Sequence, residues 1–478
     1  MNSVKKTGLF LGIACMFLIL LLPDIPGLSP VGQKALALTV IMVVWWMTEA
    51  VPIWVTALLP LALSPLIGLA GVRATPEKIN VWTNYSSPVV MLSLGVFLLA
   101  AVIEKWNLHR RIALTIVSWM GNRPSMIIFG FCLATGFVSM FMSNITAVAM
   151  MLPIGIALIS QMNMSKESGF AKALVIGLAF AASIGGMGTM IGSGTNVGGV
   201  AIMKELTGLD ITFLEWLKVG LPLVIFILPL SVFALCKLFR VNDTKLGEVD
   251  IIQQELKALG PMTREEKISF WTVTICILLF IVRGQISHFI PLLRDENLAI
   301  IIGVSLFLIP VDFKKGVFLM DPKTAIAKIS WGTFLLLGGA LTLGHIFQRA
   351  GLAEWLAGGM SFLQGLPEIA LIIIVALLVA FISELCSNFV VASAFLPVAY
   401  GMAKSLGIDP MLLMMTVTLS ASFAFMLPSG TPTNAIAFGS GYIDIPDMMK
   451  AGIVVKLIAV VVFPIVLYVI AKPLTNLF

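Results

Sequence analysis

Charge is what this sequence has least of. Asp, Glu, Lys and Arg make up 11% of its 478 residues, against 59% hydrophobic residues. A soluble domain carries about 25% charged residues, so the usual water-facing skin cannot be built from this chain. Lipid must be the solvent for most of its surface. Cysteine is also sparse. Cys15, Cys132, Cys236, Cys276 and Cys386 are scattered through apolar segments with no CxxC pair, and they read as small buried hydrophobes. Three histidines, His109, His288 and His345, lack metal-ligand spacing. No GxxxxGK[ST] phosphate loop occurs. No catalytic triad, metal cluster or carboxylate pair points to an enzyme. The formal charge of +6 is not a nucleic-acid footprint, because the basic residues sit in short loops between apolar runs, where they set orientation.

What is there is a series of apolar runs, each near the length of about 20 residues that a spanning helix needs. The first, Gly8 to Leu22, follows Lys5-Lys6 and resembles a signal peptide. No small-x-small cleavage site follows it, only Pro23-Asp24-Ile25-Pro26, so a retained first helix is expected. Further spans are expected at 35–50, 52–70, 87–104, 174–192, 217–239, 269–290, 297–311, 331–348, 411–427 and 453–471, eleven in all. Two more apolar stretches, about 112–160 and 367–403, are interrupted by polar residues and read as re-entrant hairpins. Residues 241–267 form the one strongly polar segment and read as a cytoplasmic linker. The Lys/Arg bias, with Lys5, Lys6, Arg110, Arg111, Lys257 and Arg264 on one side, predicts a cytoplasmic N-terminus and, with eleven spans, an external C-terminus.

The chain repeats itself. Ser143-Asn144 and Ser387-Asn388 lie 387 − 143 = 244 apart, as do Leu152-Pro153 and Leu396-Pro397, and Gly95 and Gly339. Further on the offset contracts: 434 − 196 = 238 for Asn196 and Asn434, and 452 − 220 = 232 for the Lys-x-Gly triplets ending at Gly220 and Gly452. The reading is an all-α polytopic membrane protein: a helix over 1–33, a first repeat over 34–240, the linker, and a second repeat over 268–478. Five spans per repeat is odd, so the second copy is inverted. Inverted repeats are the signature of alternating-access secondary transporters, with the site at the midplane where the repeats meet.

Backbone inside a membrane must satisfy itself unless it lines a cavity. Four places break helix in mid-membrane: the tips Ser143-Asn144 and Ser387-Asn388, and the runs 185–196 and 427–434. Ser and Asn favour helix N-caps, so each tip can start a returning half-helix whose amide donors suit an anion. Carbonyls freed by the unwound runs, with Ser and Asn oxygens, suit a hard monovalent cation such as Na⁺. GxxxG packing (Gly188 to Gly192, Gly194 to Gly198) is the bland reading of the first run, and its Ser/Thr/Asn-rich counterpart at 429–434 favours binding over it. Glu49, Glu384 and His345 are the ionisable residues read as lying within spans, candidates either for proton transfer or for structural hydrogen bonds.

Trp45-Trp46-Met47-Thr48-Glu49-Ala50-Val51-Pro52-Ile53, the paired Ser-Asn tips and Gly430-Thr431-Pro432-Thr433-Asn434-Ala435-Ile436 resemble the divalent anion/sodium symporter (DASS) family over nearly the whole chain. The resemblance implies a homodimer in which a mobile transport domain moves as an elevator against a fixed scaffold, and no cofactor other than coupling sodium ions. It implies one sodium site from Ser139, Ser143, Asn144 and Gly192, and a second from Ser383, Cys386, Ser387, Asn388 and Gly430. Substrate would lie between the tips, near Asn144, Ile145, Gly194 and Thr195 of one repeat and Asn388, Phe389, Thr431 and Pro432 of the other.

Two features depart from the family pattern. The tips usually read Ser-Asn-Thr, and here Ile145 and Phe389 take the threonine places. The Pro-Pro-Asn of the family becomes Gly194-Thr195-Asn196 and Pro432-Thr433-Asn434. Both departures predict a substrate other than succinate, a less charged or partly apolar anion. Symport of a small organic anion, di- or tricarboxylate-like, with sodium by a cell inner-membrane protein is therefore the main expectation. A sodium-independent anion exchanger of the same fold, or transport of an anion such as sulfate, is the alternative. An anion channel is disfavoured because channels build their filters around an axis, not from inverted repeats within one chain.

Overall fold

The computed structural model describes residues 3–71, 79–242, 250–359 and 363–474. Helix α1 spans Ser3–Leu21. Ten helices follow: α2 Pro30–Thr48, α3 Ile53–Thr56, α4 Leu59–Leu66, α5 Pro88–Lys105, α6 Leu108–Ser118, α7 Pro124–Ser139, α8 Asn144–Gln161, α9 Gly169–Gly186, α10 Gly194–Thr207 and α11 Phe213–Leu238. After α12 (Asp250–Ala258) the same order runs again: α13 Arg264–Ile286, α14 Asp295–Ser305, α15 Pro322–Lys328, α16 Trp331–Arg349, α17 Leu352–Gly358, α18 Glu368–Ile382, α19 Asn388–Leu406, α20 Pro410–Ser420, α21 Pro432–Gly439 and α22 Ile445–Val466. α13 matches α2, α14 the pair α3–α4, and α16 to α22 match α5 to α11; α15 has no helical match of its length among the described residues of the first copy. Two pairings of strands two or three residues long, 3₁₀ turns at Thr83–Ser86 and Met190–Gly192 and a π-helical turn at Leu467–Ala471 are also present.

Local chemistry sets the boundaries. Proline starts α2, α5, α7 and α20, where its missing N–H costs nothing. Ser29 caps α2 by accepting from Gly32 N at 3.0 Å. Thr263 and Glu266 close a capping box at the head of α13. α2 ends where Glu49 turns left-handed, with φ 46°.

Every expected span falls on a helix. Among the described residues, nine helices are long and apolar enough to cross a membrane, and ten if α15 and α16, bent by 54°, count as one span. Three expected spans differ in form. The stretch 52–70 is broken into α3 and α4, and α14 and α20 are only 11 residues each. The two interrupted stretches form α6–α8 and α18–α19, each broken at its Ser-Asn tip, and their last helices, α8 and α19, are among the nine long enough to span. The polar linker lies partly outside the described residues (243–249), and α12, in its remainder, packs on α6.

Burial separates the layers. α9 is 89% buried over its apolar window and lies at the centre, while α1 at 17% and α13 at 28% lie at the periphery with apolar side chains such as Phe10, Trp271 and Leu278 facing outward. The centre is assembled by exchange. α10 of the first copy packs on α19 and α20 of the second, and α21 of the second packs on α8 and α9 of the first. Close approach needs glycine. A Cβ on Gly220 would lie 2.4 Å from Met187 O, and one on its counterpart Gly452 would lie 2.4 Å from Phe425 O.

Candidate functional site between the two tips

The two breaks in helix are built alike. In the first copy α9 stops at Gly186, and a 3₁₀ turn over Met190–Gly192 leads to α10. In the second, α20 stops at Ser420, and the chain runs without helix to Thr431, which caps α21 by accepting from Asn434 N at 3.2 Å. One asparagine holds each break. Asn196 Nδ2 donates to Gly186 O and Thr189 O, both at 2.8 Å; Asn434 Nδ2 donates to Ala424 O at 3.2 Å and Leu427 O at 3.0 Å. The acceptors match at the offset of the asparagines, since 424 − 186 = 238 and 427 − 189 = 238. Internal repetition is thus visible at the level of single hydrogen bonds.

The tips face these breaks. Ser143 and Ser387 occupy the N-cap positions of α8 and α19, with φ/ψ of −57°/132° and −54°/133°. Neither side chain caps, contrary to the expectation for Ser at this place. The first-turn amides of both half-helices therefore keep their donors for a ligand.

Of the ten buried side-chain polar atoms without a hydrogen-bond partner among the described residues, four lie here. Asn196 Oδ1, Asn434 Oδ1, Ser383 Oγ and Asn388 Oδ1 have no hydrogen-bond partner. In the first tip Ser139 Oγ lies 2.6 Å from Asn144 Oδ1 and 2.8 Å from Ala182 O. Its single proton serves only one of them at a time. Leaving a buried acceptor unmade costs about 1–3 kcal/mol, so a bound cation or water would be stabilised at these oxygens. Carbonyls crowd the same places: a Cβ on Gly192 would meet Gly186 O at 2.5 Å and Ser139 O at 3.0 Å. The donor set of hydroxyl, amide and carbonyl oxygens fits Na⁺.

Between the tips lies a cavity of about 1150 Å³. Asn144, Ile145, Gly194 and Thr195 of the first copy and Asn388, Phe389, Thr431 and Pro432 of the second all line it. Ser143, Gly192, Cys386, Ser387 and Gly430 also reach it, while Ser139 and Ser383 lie behind the wall, fully buried. Its charged lining consists of Lys5, Glu49, Glu104 and Lys328, partly or well exposed and paired as Lys5–Glu49 (3.4 Å) and Lys328–Glu104. Among the described residues, Lys5 and Lys328 are the basic side chains that line the cavity, each already paired with a carboxylate. Phe389 does not obstruct the space. It is 6% exposed, and its ring packs so closely on α10 that a Cβ on Gly198 would lie 2.5 Å from Phe389 Cε2. Ile145 at the first tip, 44% exposed, is one of the apolar side chains that line the cavity, with Leu385 (64%) beside the second tip.

The three ionisable candidates part ways. Glu49 is exposed and paired with Lys5. His345 pairs with Glu205 of α10. Glu384 is buried and accepts from Phe425 N, Met426 N and Leu427 N at 2.8, 2.9 and 3.0 Å, with Lys456 Nζ 2.8 Å from Oε1. Lys456 was not foreseen as a partner. Its one signal in the sequence is a lone charge in the apolar run 453–463.

Comparison with known proteins agrees with this architecture. A family profile described as the sodium:sulfate symporter transmembrane region matches residues 3–477. The sodium-dependent dicarboxylate transporter SdcS of Staphylococcus saprophyticus is 36% identical over 490 residues, covering 100% of this chain and 93% of that protein. SdcS of Staphylococcus aureus USA300 is 36% identical over 481 residues, covering 98% and 91%. Among solved structures, the YdaH transporter of Alcanivorax borkumensis matches in fold with a TM-score of 0.54 at 15% identity, over 90% of this chain and 98% of that one.

Proposed function

This chain belongs to the sodium:sulfate symporter, or divalent anion/sodium symporter, family of multi-pass membrane transporters, and on that premise we propose that it carries a small organic carboxylate across the cell inner membrane together with sodium. The observation that carries the reading is the set of unpartnered buried oxygens at the matched breaks and at the second tip, Asn196, Asn434, Ser383 and Asn388. Sodium sits at each tip. The first site draws on Ser139, Ser143, Asn144 and Gly192, the second on Ser383, Cys386, Ser387, Asn388 and Gly430. The anion lies between them on the amides of α8 and α19. Each ion then offsets the desolvation cost of the other, and no lysine or arginine is required. The relatives named for sodium-dependent dicarboxylate transport support this coupling.

The repeats, 34–240 and 268–478, are inverted and joined by a cytoplasmic linker over 241–267. The N-terminus is cytoplasmic and the C-terminus external, in keeping with the Lys/Arg bias. Two copies form a homodimer, and the hairpins with α9–α10 and α20–α21 move as an elevator against the rest. Thermal stability in choline buffer, with and without Na⁺, tests the coupling across dicarboxylates, citrate, sulfate and monocarboxylates. A ligand of the native state raises the melting temperature by mass action. Sodium should stabilise, and one class of anion should stabilise further only in its presence. Anions that stabilise equally without sodium would favour an exchanger.

The exposed Ile145 supports a narrower reading of the substrate. With apolar surface where a hydroxyl would meet the second carboxylate, the preferred anion is less charged or partly apolar. Ile145→Thr should therefore improve succinate uptake relative to a monocarboxylate by roughly tenfold, the worth of one hydrogen bond to a charged group, about 1.5 kcal/mol. An unchanged ratio would remove Ile145 from substrate selection.

A further inference from the structure

The two copies differ at a buried place beside the second tip. In the first, Met140 and Val224 close on Gly188: a Cβ there would lie 2.8 Å from Met140 Cε and 3.1 Å from Val224 Cγ2. Their counterparts follow from the three repeat offsets. Met140 maps to Glu384 (384 − 140 = 244), Gly188 to Met426 (426 − 188 = 238) and Val224 to Lys456 (456 − 224 = 232). An apolar contact in one copy is thus an ion pair in the other. Lys456 Nζ is 2.8 Å from Glu384 Oε1, it donates to Ala380 O at 2.8 Å, and it stands 4.2 Å from the centre of the Phe381 ring. Lys456 is fully buried and Glu384 is 3% exposed.

The pair adjoins the second tip. A Cβ on Gly430 would lie 2.9 Å from Glu384 Oε2, and Ser383, the residue before Glu384, carries one of the unpartnered oxygens. A carboxylate here pulls on any cation bound at Gly430. A fixed ammonium 2.8 Å from that carboxylate cancels the pull, leaving dipoles alone to hold the ion. The first tip has neither charge.

We propose that Lys456 is a tethered counter-cation that lowers the sodium affinity of the second tip, so that its ion binds firmly enough to enter and loosely enough to leave. Glu384 is the positioning residue through which it acts, since the same carboxylate gathers the amides of residues 425–427 beneath Gly430. The proposal rests on the reading of the second tip as a sodium site.

The test is a sodium titration of thermal stability on the purified full-length protein, for the wild type, Lys456→Gln, Glu384→Gln and the double variant. Glutamine keeps a donor for Glu384 while removing the charge. At an effective dielectric near 20, a unit charge within about 10 Å of the ion is worth about a tenfold or larger change in affinity. The sodium midpoint should therefore fall about tenfold or more in Lys456→Gln, rise by a similar factor in Glu384→Gln, and return within about threefold of wild type in the double variant. A purely structural pair would lower the melting temperature of both single variants and leave both midpoints in place, which overturns the proposal. If Lys456→Gln does not fold, Glu384→Gln decides, and an unmoved or lowered midpoint there is equally fatal. A wild type that does not respond to sodium removes the sodium reading, and this inference with it. A responding wild type with an unmoved variant overturns this inference alone.

Discussion

Asn144→Ala should bring uptake in proteoliposomes to background while the protein still inserts, purifies as a single species and melts within a few degrees of wild type. Asn144 is the first residue of α8, where alanine keeps the helix. Its Oδ1 lies 2.6 Å from Ser139 Oγ, and it presses on the end of α9, where a Cβ on Gly186 would come within 2.5 Å of it. The same side chain lines the cavity. It therefore stands between the ion oxygens of the first break and the space for the anion. Losing one ligand to a charged species costs about 1.5–3 kcal/mol, or roughly tenfold to a hundredfold in affinity. Ion and anion are mutually stabilised, so both are lost together. Uptake is the deciding measurement, with sodium stabilisation as the second. A variant that transports like wild type would take the first tip out of the site.

Much of this geometry is legible in the sequence, and the reason is repetition. One apolar run says little, because hydropathy reports the solvent and not the path of the chain. Two runs that share Ser-Asn, Leu-Pro and Lys-x-Gly landmarks at fixed offsets say more, since each landmark must do the same local work twice. Asn196 and Asn434 bear this out by choosing the carbonyls ten and seven residues behind them in both copies.

What escapes is whatever depends on a partner far along the chain. Phe389 reads only as a bulky residue in a threonine's place until Gly198, 191 residues earlier, is seen to receive its ring. Lys456 reads as an interruption of a span until Glu384 is found beside it. The break between α3 and α4, and the shortness of α14 and α20, go with neighbouring elements that composition does not record; just beyond α20, Glu384 of the second hairpin accepts from the amides of residues 425–427.

Those neighbours approach so closely that one methyl group should undo the assembly. α7 packs along α9, and their backbones touch at Gly136 and Gly185. A Cβ on Gly185 would lie 2.1 Å from Gly136 O, 2.4 Å from Gly136 Cα and 2.5 Å from Gly136 C. All three are backbone atoms of a buried helix, so no side chain can swing aside. Relief requires the two helices to part, and α7 carries Ser139 while α9 ends at the break that holds Asn196. Overpacking of a core usually costs about 1–3 kcal/mol, and a backbone collision lies at or above the top of that range. Gly185→Ala should thus fail to yield monodisperse protein or should melt far below wild type. Gly439→Ala, at a helical glycine with nothing within 4 Å of the added Cβ, should leave yield and melting temperature unchanged. If Gly185→Ala purifies and melts like Gly439→Ala, the α7–α9 contact is looser than this packing requires. In that case the first hairpin is not held against α9 tightly enough to keep Ser139 and Asn144 at the ion site.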